Sequence, residues 1–160
     1  MQNKVGLAIE ELHRAENELA AELLEASDRH KADHDIFYLG HDLAGWSQQH
    51  VRKLAGYGRN CGLDLDADGV GLMATIWRSG DGVPDGQHDP GLLLLKDLRE
   101  IHRKAAGVSL DWEILSQTAQ ALKDDELLQL CQECHPQTLR QLRWANASLK
   151  TNAAQIIVTP

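Results

Sequence analysis

The sequence predicts an all-α fold, a four-helix bundle with a long crossover and one extra short helix. Three observations predict it. Apolar residues recur every three or four positions through most of the 160 residues, as they do on a helix with one face turned inward. No stretch alternates apolar and polar residues in the manner of a half-buried strand, and no internal repeat or low-complexity tract competes. Two long periodic segments come first, a polar connection follows, and periodic segments then resume.

The first helix carries Val5, Ala8, Ile9, Leu12, Ala15, Leu19, Leu23 and Ala26 on one stripe, with Glu10, Glu11, Arg14, Glu18 and Glu25 largely on the other faces. A break is expected near Ser27 to Arg29. Asp33 is the expected cap of a second helix that carries Phe37, Leu43, Ala44, Val51 and Leu54 and ends around Gly56 to Gly58. Each helix is roughly 35 Å long at 1.5 Å per residue, which is bundle length. Residues 59–89 lose the periodicity and gain glycines, aspartates and Pro84. A connection of that length is uncommon in a compact domain unless it runs along a bundle. Within it, Val70, Met73, Ala74 and Trp77 share helical spacing and predict the extra short helix.

Asp89 followed by Pro90 reads as a cap and a proline at the first helical position. Leu92, Leu95, Leu98, Ile101, His102 and Ala105 extend that helix to an expected stop at Gly107. Ser109 is expected to cap a separate helix with Asp111 and Glu113 in its first turn. Asp124 or Asp125 begins the last segment, which Pro136 is expected to kink or restart. If residues 59–89 cross from one end to the other, the second and third helices run parallel. We favour this over up-down-up-down with an oversized loop.

Composition narrows the function. The length suits one domain over residues 1–160. With 24 acidic against 16 basic residues and no basic run, the net charge of −8 argues against nucleic acid or an anionic membrane as partner. The longest aliphatic run, Leu92 to Leu95, is far short of a membrane span. Glu10 and Glu11 end the apolar run from Val5 to Ile9 before a signal-peptide core forms. Cys61, Cys131 and Cys134 are too few and too unevenly placed for a disulfide framework. A cytoplasmic protein is expected. Eight histidines, against seven Phe, Trp and Tyr residues, direct attention to metal chemistry.

Several stretches carry a family resemblance: Leu12-His13-Arg14-Ala15-Glu16 with Leu19-Ala20, Leu43 through His50, Ser109-Leu110-Asp111-Trp112, and Cys134 through Gln141. The chain resembles a small bacterial ferritin-like protein, of a kind whose members often have no known activity. Di-metal bundles of this architecture place one Glu on each of two helices and a Glu-x-x-His on each of the other two. Here the second-helix slot reads Ser47-Gln48-Gln49-His50, and no Glu-x-x-His occurs anywhere. The resemblance therefore implies a ferritin-like bundle with a degenerate di-metal motif.

Helical geometry suggests one further site. In the crossover topology His13, His50, His102 and His135 all lie toward one end, His13 and His50 about 12 Å from it, His102 about 6 Å and His135 about 15 Å. With Glu16, one turn from His13, they form a candidate site for a transition metal such as iron or zinc. His30, His34 and His41 would share one face if the second helix began by His30. Cys131-Gln132-Glu133-Cys134-His135 matches the haem-attachment spacing, but such attachment normally follows export, and buried structural cysteines are the plainer reading. Asp64-Leu65-Asp66-Ala67-Asp68-Gly69 copies half of a calcium loop whose twelfth position is Thr75 in place of glutamate.

Two functions are expected from these features. One is a metal-free structural or interaction bundle that self-associates as a homo-oligomer or binds a protein partner. The alternative is a metal-binding protein, with redox chemistry open to it, using His13, Glu16, His50, His102 and His135.

Overall fold

The computed structural model describes residues 3–68 and 89–160. Among these residues are four long helices, α1 (Lys4–Arg29), α2 (His34–Gly58), α3 (Pro90–Leu122) and α4 (Asp125–Val158), and a 3₁₀ turn over Arg59–Cys61. Among the described residues there is no strand, and no helix is long and apolar enough to cross a membrane. The short helix expected around Val70 to Trp77 lies outside the described residues.

Each helix starts on a side-chain cap that satisfies an otherwise unpaired first-turn N–H. Asn3 accepts from the Val5 N–H at 3.0 Å, Asp33 from Ile36 at 3.2 Å, and Asp124 from Leu127 at 3.0 Å. Asp89 accepts from both Gly91 and Leu92, ahead of Pro90 at the start of α3. The turn from α3 to α4 needs only two residues because Lys123 takes a left-handed conformation, with φ of 55°.

Two helix boundaries differ from expectation. Gly107 does not stop α3, which continues through Ser109 to Leu122. Val108, Trp112, Leu115 and Ala119 prolong the buried stripe of Leu98, Ile101 and Ala105. A mid-helix glycine costs about 1 kcal/mol, less than burying even one of those side chains contributes. Pro136 likewise neither ends nor restarts α4. The ring sits on the exposed side, where water can take the carbonyl whose partner N–H is missing, while Cys134, Thr138, Gln141 and Ala145 anchor the inner side.

Cross-helix pairs fix the topology. Glu16 meets Trp112, Glu22 meets Lys104 and Arg29 meets Asp97, so α1 and α3 are antiparallel. Leu43 meets Gln141, His50 meets Gln137 and Tyr57 meets Asp124, so α2 and α4 are antiparallel. The tight turn after His30 makes α2 antiparallel to α1 as well. Helices α2 and α3 therefore run parallel. The end of α2 lies beside the start of α1, where Gly6 faces Cys61 and Leu63, and α3 begins at the opposite end. Residues 59–89 thus connect opposite ends, the crossover arrangement.

The apolar core joins all four helices through Ile9, Leu12, Leu19, Leu54, Trp112 and Leu127 among others. Near the turn between them, α1 and α2 approach so closely that a Cβ on Gly40 would lie 1.9 Å from Ser27 Oγ. That contact favours the glycine: a methyl there displaces the Ser27 hydroxyl from its 2.7 Å bond to the Leu23 carbonyl.

Candidate functional site

A polar layer interrupts this core at mid-bundle, and every helix contributes to it. Glu16 comes from α1, Ser47 and His50 from α2, Trp112 from α3, and Gln137, Thr138 and Gln141 from α4. Ser47 and His50, like Thr138 and Gln141, are three apart, so each pair lies on one inward face. Glu16, His50 and Trp112 are all 0% exposed.

Glu16 Oε1 is the hub. It accepts from His50 Nδ1 at 2.8 Å and from Trp112 Nε1 at 2.9 Å. The other ring nitrogen, His50 Nε2, lies 2.7 Å from Gln137 Oε1. Both ring nitrogens therefore face oxygen, an arrangement fully satisfied by a doubly protonated ring. A neutral ring would be satisfied only with the Gln137 amide turned to present its NH₂. The His50 ring also stands edge-on to Trp112, with centroids 5.8 Å apart. One turn along, Gln141 Nε2 donates to the Leu43 carbonyl and to Ser47 Oγ, both at 2.8 Å. Three buried oxygens of the layer have no hydrogen-bond partner: Glu16 Oε2, Thr138 Oγ1 and Gln141 Oε1. Burying such groups unpaired is costly, so this layer was not shaped by packing alone.

Of the five residues expected to hold a metal, two meet directly, Glu16 and His50. His13 lies one turn from Glu16, but its Nε2 donates to the Asp66 carbonyl at 2.8 Å and pins the start of the crossover to α1. His135 turns to the α3 side of α4, where Nε2 meets Ser109 Oγ at 2.9 Å and Nδ1 lies 3.8 Å from Glu113. Because α3 runs on through Gly107, the level facing Glu16 is held by Trp112. His102 lies ten residues away, about 15 Å along the helix. Among the described residues no three His, Cys, Asp or Glu side chains converge.

A two-metal carboxylate centre does not fit this donor set. Such a centre needs bridging carboxylates, and the layer offers one carboxylate whose Oε1 is engaged by two N–H donors. Ser47, Trp112, Thr138 and Gln141 surround it, and the indole fills space next to Glu16.

The other motifs resolve differently. His30 ends α1 and binds Asp97 Oδ2 at 2.7 Å, whereas His34 begins α2 and stacks on Tyr38, and His41 reaches Asp28. The expected shared face is therefore absent, because the helix starts four residues later than that reading required. Cys131 and Cys134 are buried, and burial pushes their thiols up to about 11 and about 12. Both belong to the apolar core. In the aspartate loop, Asp66 Oδ1 accepts from the Asp68 N–H at 2.9 Å, and the rest of the calcium pattern lies outside the described residues.

Trp112, Gln137 and Gln141 were not singled out as site residues from sequence. The signal that finds them is polarity at inward positions: an amide or indole N–H on a stripe that is otherwise apolar must meet a partner inside. The sequence matches no family model and no curated protein, and the fold matches no solved structure.

Proposed function

We propose that this chain is a ferritin-like helical bundle that lacks the usual di-iron carboxylate site and acts as a structural or protein-interaction module. The observation that carries this reading is the contact between Trp112 and Glu16. A tryptophan stands on the third helix at the level of Glu16, where a metal-binding bundle would need a carboxylate. Its N–H occupies the same carboxylate oxygen that the buried histidine uses. The layer then works as a lock: its bonds link α1 to α2 and α3, and α2 to α4, and so specify register at the middle of the bundle. The test is elemental analysis of protein purified without a histidine tag, before and after incubation with iron, zinc or copper salts. Metal well below stoichiometry in both samples supports the reading, and near-stoichiometric metal sinks it.

A second reading, a metal-binding protein with redox capacity, is favoured by one observation. Glu16 Oε2 is buried without a partner, beside His50 and at the level of the unpaired Thr138 and Gln141 oxygens. On that reading Glu16 and His50 are the first ligands of a single iron or zinc ion. Glu16→Gln would then abolish the metal retained after reconstitution.

A further inference from the structure

We propose that two copies of this chain associate through the outer face of α3, crossing antiparallel about a two-fold axis at Gly107. The inference deepens the interaction reading above by naming the partner and the surface. Gly107 lies in the middle of a 33-residue helix, yet a Cβ built there meets nothing within 4 Å. Among the described residues nothing requires the glycine, although it weakens the helix. What uses a bare backbone on an outer face is the close approach of another backbone.

The residues around it support that approach. Leu110 and Ile114 lie one and two turns further along the same face and are 66% and 57% exposed. Arg103 and Asp111 lie four residues before and after Gly107, about 6 Å either way along the axis. An antiparallel crossing at Gly107 therefore sets Arg103 of each copy opposite Asp111 of the other. In the same arrangement Leu110 covers the methylene stem of the opposing Arg103. A two-fold contact must be self-complementary, and a face that reads basic, bare, apolar and acidic in order meets that condition only when reversed on itself. Asp111 has Glu11 and Glu16 near it as well as Arg14, and its carboxyl is raised by burial and by Glu11. Among the described residues Arg103 pairs with Glu100, in an exposed pair that contributes little. A single helix face buries less than the roughly 800 Å² per partner of a standard interface, so a dissociation constant in the micromolar range is expected.

Sedimentation equilibrium of the full chain across protein concentration tests this. The expected result is a monomer–dimer equilibrium that weakens with salt. Leu110→Glu is expected to weaken it at least tenfold while circular dichroism stays unchanged. Arg103→Asp and Asp111→Arg should each weaken it, and the two together should restore it. Gly107→Ala gives the sharpest contrast: the methyl has open space in one copy, so the dilute monomer should melt at a higher temperature while dimerisation is lost. A monomer up to about 100 μM overturns the proposal, as does a dimer indifferent to Gly107→Ala and Leu110→Glu. Metal analysis of the same sample separates the two claims: a dimer loaded with metal sinks the metal-free reading alone, and a metal-free monomer sinks this one alone.

Discussion

Two histidine–carboxylate pairs are buried in this bundle, and they are built on opposite terms. At mid-bundle, Glu16 and His50 are both sealed from water, and their other partners, Trp112 and Gln137, are held on α3 and α4. Near the turn between α1 and α2, Asp97 accepts from His30 at 2.7 Å and from Arg29 at 2.6 Å. That second cluster is redundant. Arg29 also holds Glu25 at 2.6 Å, and its side chain is 23% exposed, so water and a second carboxylate stand by. The same residue types therefore do different work. The central pair specifies how four helices align, while the peripheral one ties the α1–α2 turn to the first turns of α3. Redundancy, more than distance or residue type, decides how much each resists mutation.

His50→Leu should have the largest effect, because it leaves the Glu16 carboxylate buried with only the indole N–H. Removing one partner of a buried pair costs about 3–5 kcal/mol. Replacing both partners, as in Glu16→Met with His50→Leu, should recover part of that loss, since the apolar pair needs no partner while the buried Trp112 N–H loses its acceptor. Urea unfolding of the two single variants and the double gives the coupling directly. A single-variant loss under about 1 kcal/mol would mean that water reaches the layer.

Trp112→Phe comes next. It keeps most of the apolar bulk but removes the N–H that Glu16 Oε1 accepts, at an expected cost of about 1–3 kcal/mol. Asp97→Asn should cost less, about 1–2 kcal/mol, because Arg29 keeps Glu25 and the amide oxygen that replaces one carboxylate oxygen still accepts from one of the two partners. If Asp97→Asn proves as damaging as His50→Leu, redundancy is not what separates the clusters. Thermal or urea unfolding of these variants side by side decides it.

Sequence reading was strongest where one physical signal acts alone. Asp33, Asp89 and Asp124 were legible as caps because a side-chain oxygen ahead of an apolar stripe has few other roles. The crossover was legible from the length of the connection. Gly107 misled because its helix penalty, about 1 kcal/mol, competes with burial of a stripe that continues on both sides. Within the site, Glu16 and His50 were named but their relation was not. Predicted helix ends carry errors of several residues, and the early stop at Gly107 put His102 near the end of a helix in which it lies before the middle. With that boundary corrected, Trp112 takes the place that the histidine was expected to fill.

The smallest effect belongs to the cap of α4, the solvent-facing limit of the same comparison. Asp124 accepts from the Leu127 N–H through one oxygen and from the Tyr57 hydroxyl through the other. The Tyr57 hydroxyl first, and then the Leu127 N–H, hold its carboxyl below the usual carboxylate range. A carboxyl lowered in the folded state stabilises above its unfolded value of about 4, and that contribution disappears as pH falls through the folded value. Asp124→Ala should therefore cost about 1 kcal/mol at pH 7, with the gap to the parent narrowing below pH of about 4. Asp124→Asn keeps a capping oxygen without the charge, so it should lose only the pH-dependent share. Urea unfolding of parent, Ala and Asn proteins at neutral and acid pH separates the two contributions. A gap between parent and Asn that persists in acid would show that the charge is not what Tyr57 and the helix start respond to.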